Sequence, residues 1–128
     1  MTETRLDWEP VARSLVLHLV DHDVIPVAVY DGAYTTRITR ASASKMADQV
    51  AEIACGVDEA ALRCIWYTST SQLRCSLVLV FGNEPDEVVA DYTSENGDDA
   101  LEATIELALE DFGTEWEGKA CPRVQVAS

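Results

Sequence analysis

Between Glu84 and Glu117 the chain has neither lysine nor arginine, although thirteen aspartates and glutamates fall in that window. Bases are scarce throughout: 23 acids stand against 9 bases for a formal charge of −14, and Lys45 and Lys119 are the two lysines. Nucleic-acid affinity comes largely from Lys and Arg displacing counterions, so direct binding to bare nucleic acid is excluded as an expectation. Anionic membrane surfaces are disfavoured for the same reason. No apolar stretch approaches the length of a membrane span, and MTETRLDWEP lacks a signal peptide's apolar centre. The expected location is cytoplasmic.

Catalytic and metal signatures are missing too. Cys55, Cys64, Cys75 and Cys121 form no CxxC pair and match no zinc spacing. They are expected to be reduced and structural, with a Cys64–Cys75 cross-strand bridge as the alternative. There is no GxSxG elbow, and the six glycines build neither GxGxxG nor a P-loop. Asp86, Asp91 and Asp98 do not follow a calcium loop. His18 and His22 have the i,i+4 spacing that can hold zinc, but Leu19 stands where a metalloprotease has glutamate. Packed or capping histidines are expected, with no cofactor and no metal. An enzyme would need residues that look unrelated here, and His18, Asp21 and Cys64 are the candidates.

What is present is a core's worth of apolar residues. At 48% hydrophobic over 128 residues, the chain predicts one folded acidic domain rather than disorder. Asp7 can cap a helix carrying Pro10 in its first turn, with Trp8, Val11, Leu15 and Leu19 on one side through about Asp23. VIPVAVYDGAYTTRIT reads as a hairpin turning at Asp31–Gly32. SASKMADQVAEIAC predicts a helix begun by Ser42 or Ser44 and ended by a left-handed Gly56. From Leu62 the period becomes two. Leu62, Cys64 and Trp66 share a face, as do Leu73, Cys75, Leu77, Leu79 and Phe81. Thr68–Gln72 and Asn83–Glu87 are short links, so these runs and Val88–Thr93 predict a three-strand antiparallel meander. After Asn96–Gly97, Leu101, Ile105, Ala108, Leu109 and Phe112 line a last helix, with Trp116 on the same side if that helix survives Gly113. The tail 118–128 is expected to be partly frayed. The order α-β-β-α-β-β-β-α predicts an α+β fold: a meander plus hairpin in an antiparallel sheet, packed with about three helices.

Acidity is localised within this pattern. Residues 1–64 hold ten acids and six bases (−4), and residues 65–128 thirteen acids and three bases (−10). On a helix, Asp99, Glu102, Glu106 and Glu110 form one stripe opposite the apolar side, at about 6 Å per i,i+4 step. Two phosphate steps on one DNA strand advance about 6.8 Å, so such a row can occupy a groove built for phosphates. Glu84, Asp86, Glu87 and Asp91 extend the candidate surface. The competing explanations are a solvated face or adaptation to high salt. Salt adaptation should not spare residues 32–47, where Arg37, Arg40 and Lys45 sit, and four cysteines fit it poorly.

The stretch LVLVFGNEPDEVVADYTSENGDDALEATIE (77–106) resembles small acidic proteins carried by phages and plasmids. Those show a strand ending in a GN turn, a strand ending in DYT, then a helix, matched here by Gly82, Asn83, Asp91, Tyr92 and Thr93. The resemblance implies a mobile-element setting, in which small acidic domains inhibit host defence as anti-CRISPR or anti-restriction proteins. The functional expectation is a non-enzymatic DNA mimic whose acids occupy a basic nucleic-acid-binding protein. The alternative is a dimerising scaffold or accessory domain, a homodimer whose acidic surface maintains solubility.

Overall fold

The computed structural model describes residues 2–82 and 84–127. Asn83 of the GN turn lies outside the described residues, as does Ser128. Among the described residues three α-helices and seven strands are formed: β1 (Thr2–Leu6), α1 (Glu9–Asp21), β2 (Val24–Tyr30), β3 (Thr35–Arg37), α2 (Ala43–Ala54), β4 (Glu59–Tyr67), β5 (Gln72–Val80), β6 (Val89–Ser94), α3 (Asp99–Trp116) and β7 (Arg123–Ala127). The fold is α+β. The expected hairpin and meander merge into one antiparallel sheet of order β3-β2-β4-β5-β6, because β2 pairs with β4.

Local chemistry explains the joints. The Asp31 carboxylate accepts the backbone N–H groups of Ala33 and Tyr34 at 2.9 and 2.7 Å, while Gly32 supplies φ +100°. Those two bonds, Tyr34's first, hold the Asp31 carboxyl below its ordinary pKa. Ser42 caps α2 by accepting the Lys45 N–H, and Asp98 caps α3 by accepting the Leu101 N–H. Pro26 sits inside β2 beside a register shift between Pro26 and Ala28, where a residue with no N–H is tolerated. The helix α3 runs through Gly113, so Trp116 does continue its core side and packs there.

One core holds the structure together. The inward residues Leu62, Cys64, Leu77 and Leu79 of the sheet join Val11, Leu15 and Leu19 of α1, Met46 and Val50 of α2, and Leu101, Ile105 and Phe112 of α3. Helix α1 packs against both other helices and against β2. Alternation sends Arg63, Arg74 and Thr93 to the opposite face of the sheet, where they are exposed.

The structure corrects several expectations. The tail is not frayed: Arg123–Ala127 pairs antiparallel with Thr2–Leu6, from Leu6↔Arg123 to Thr2↔Ala127. A strand therefore precedes α1 and another follows α3, adding β at both ends of the expected order. The Asp7 O accepts the Cys121 thiol and the Asp7 N–H reaches Pro122, so local composition gave no sign of an order that its partner supplies. Asp7 is not the α1 cap; Trp8 holds that position, and Asp7 accepts the Glu9 N–H from one residue earlier. Helix α2 stops without a left-handed glycine. Cys55 is right-handed (φ −77°), and Gly56 is not among the glycines of positive φ.

Candidate functional site

The acids sort into three settings around α3. Along one flank, Glu102 accepts the Ser94 hydroxyl at 3.1 Å and Glu106 accepts the Tyr92 hydroxyl at 2.7 Å, both from β6. Along the other, Glu115 lies 3.3 Å from Nε2 of His18 on α1, and Asp111 lies 2.9 Å from Nε2 of His22, the residue that caps the C-terminus of α1. Asp99 and Glu110 are exposed and make no side-chain hydrogen bond or ion pair among the described residues. The four-residue stripe thus lies on the flank nearer β6 rather than directly opposite the core, because Glu102 is half-buried there.

Pro85 and Val88 are buried and anchor the 3-10 turn Pro85–Glu87, which packs against α3. Glu84, Asp86 and Glu87 are exposed on that turn, and Glu84 and Glu87 line a shallow depression with Leu6, Ala120, Cys121 and Arg123. Asp91 does not join them. It is the register partner of Val78, on the helix-free face of the sheet, where its carboxylate accepts the Tyr92 N–H. The structure therefore carries Asp99, Glu102, Glu106 and Glu110 on one helix, sets Glu84, Asp86 and Glu87 on a turn packed against that helix, and puts Asp91 on the opposite face of the sheet.

Electrostatics follow this placement. The Tyr92 phenol is pushed up to about 12, first by its bond to Glu106, then by burial and the nearby charges of Glu106, Glu102 and Asp91. The Glu115 carboxyl is lowered, first by the Ser14 hydroxyl and also by His18. Acids in the last turns of α3 oppose the negative end of the helix dipole, and that helix has no base in its last turn. Ser14 and the imidazoles of His18 and His22 supply the hydrogen-bonding partners that α3 itself lacks there.

Sequence reading missed Ser14. It is the one buried polar residue among the described residues, donating to Glu115 and accepting from Trp116 Nε1 at 2.9 Å. Serine, carboxylate and histidine meet here, but in the order Ser14–Glu115–His18. Nucleophile activation needs the histidine against the serine, and this hydroxyl is spent on the α1–α3 joint. Among the described residues no three His, Cys, Asp or Glu side chains converge to hold a metal, and no helix is long and apolar enough to cross a membrane. Cys64 is buried directly opposite Cys75, and no hydrogen bond links it to His18 or Asp21. All four thiols are free.

The sequence pattern did contain one unused signal. Period-two alternation places Arg63 and Arg74 on the face away from Leu62 and Cys75, and the fold adds Arg37 from β3. Compared with known proteins, the chain matches no family model, no curated protein and no solved structure.

Proposed function

We propose that this chain is a non-enzymatic acidic binding protein that occupies the basic, nucleic-acid-binding surface of a host defence protein and inhibits it, in the manner of anti-CRISPR and other DNA-mimic inhibitors. The observation that carries the reading is a set of exposed acids, Glu84, Asp86, Glu87, Asp99 and Glu110 among them, that make no side-chain hydrogen bond or ion pair among the described residues, in a window without a single lysine or arginine. A surface serving solubility alone is usually mixed in sign. Here Glu102, Glu106, Asp111 and Glu115 are tied to hydroxyls and histidines, while these acids face solvent. Residues 77–106 resemble acidic proteins of phages and plasmids, which supports the same setting inside a cell under attack by its host's defences.

The test is capture of partners from a host lysate by the tagged chain, followed by competition between the chain and DNA for the captured protein. Fast association that weakens as salt rises is expected. Asp99→Lys with Glu110→Lys leaves the β6 and α1 contacts of α3 intact and should weaken capture about tenfold or more. Undiminished inhibition by that folded variant would sink the mimicry.

A further inference from the structure

Four of the seven arginines lie on the helix-free face of the sheet. Arg37, Ala28, Arg63, Ser76 and Thr93 are successive register partners from β3 to β6, and Arg74 stands opposite Ile65 in the next outward row. Arg37, Arg63 and Arg74 line one open depression of about 820 Å³. A second, of about 430 Å³, adjoins it through Arg37 and Tyr67 and adds Arg40. The Arg40 guanidinium sits 5.4 Å over the Tyr67 ring and that of Arg63 6.0 Å over Tyr30. None of the four is within 4.0 Å of a carboxylate among the described residues. Acids nearby are Asp91 and Glu59 at the margins and Glu95, whose carboxylate accepts the Arg74 backbone N–H at 2.9 Å.

Four arginines without a carboxylate partner, Arg40 and Arg63 of them held over tyrosines, beside Ile65 and Val27, have the composition of protein–protein hot spots. The rings restrict the guanidiniums beforehand, which lowers the entropy lost on docking. The complement is on the same chain. We propose that this face docks the acidic α3 surface of a second copy, head to tail. Dimensions agree: α3, at 18 residues, is about 27 Å long, and five strands span about 24 Å. Arg37 and Arg63 are two strands apart, about 9.6 Å, while acids two turns apart such as Asp99 and Glu106 are separated by about 10.5 Å along the axis. The net charge of −14 per copy opposes association, but at physiological salt charges beyond about 8 Å are largely screened, so the facing patches dominate. A footprint this small gives a weak, reversible contact. Each docked copy leaves one face of each kind free, so the assembly grows or closes into a ring.

Sedimentation velocity over a concentration series tests this independently of any host partner. The wild-type chain should associate at physiological salt and dissociate at high salt. The exposed substitutions Arg37→Gln, Arg63→Gln and Arg74→Gln together, or Asp99→Asn and Glu110→Gln together, should each yield a monomer of unchanged circular dichroism. Mixed in equal amounts, the two variants should form a one-to-one dimer that grows no further, since each keeps one intact face. A wild-type chain that stays monomeric at every concentration, an association that strengthens as salt rises above the physiological level, or variants that still self-associate would each overturn the proposal. An equimolar mixture that stays monomeric would do so as well. Loss of partner capture in the arginine variant is not expected, so failure here and failure of the mimicry reading are separable.

Discussion

Tyr92 of β6 donates its phenolic hydrogen to Glu106 of α3 at 2.7 Å, joining the edge of the sheet to the flank of the acidic helix. The bond is made by the neutral phenol and is lost by the phenolate, which would face Glu106, Glu102 and Asp91. The folded pKa therefore lies above the ordinary value. Stability from this contact is fully present below pH about 10 and fades as pH rises to about 12.

Phenolate absorbance checks this directly, since the chain has four tyrosines. One should ionise near 12 while circular dichroism still reports the fold. Glu106→Gln keeps an acceptor but removes the charge, and should return that phase toward the ordinary range. Tyr92→Phe should delete it. A single common transition at the ordinary tyrosine value would contradict the contact.

How much of this was legible beforehand depended on the range of the interaction. The three-strand meander, the Asp31–Gly32 turn and the Ser42 cap rest on residues a few positions apart, and the pattern shows them. The β1–β7 pair joins the two ends of the chain. RVQVA does alternate, but the run is short and TETRL is mostly polar, so pairing between the two orders them. The acidic window was visible as composition, yet its division was not. Glu102 and Glu106 serve β6, Asp111 and Glu115 serve α1, and Asp99 and Glu110 serve neither, because the partners come from elements up to 101 residues away. Arg63 and Arg74 could have been placed by the same alternation that identified Leu62 and Cys75.

The joint between α1 and α3 makes a prediction about acid. Glu115 is held below its ordinary pKa by the Ser14 hydroxyl and by His18. A lowered carboxyl contributes stability above its unfolded pKa, and that contribution disappears as pH falls through the folded value. Urea unfolding should therefore show a loss of stability on acidification that is smaller in Glu115→Gln. Ser14→Ala removes the partner of both Glu115 and the Trp116 indole, and should cost about 1–3 kcal/mol at neutral pH. Equal stability of Ser14→Ala and wild type would mean that the three side chains do not hold the joint.

Glu110 separates the cost of the acidic surface from its use. It lies four residues after Glu106, and like charges at that spacing destabilise a helix by about 0.2–0.5 kcal/mol per pair. Glu110→Lys replaces the repulsion with an attractive glutamate–lysine pair in the favoured orientation, and adds a positive charge toward the helix C-terminus. The substitution should raise stability by about 0.5–1 kcal/mol in urea unfolding at low salt, with the gain shrinking as salt is added. The same substitution should weaken capture of a basic partner. A gain in stability without any loss of capture would assign this acid to solvation alone. A gain in stability together with a loss of capture would show that the chain carries its uncompensated acids at the expense of the fold because a partner reads them.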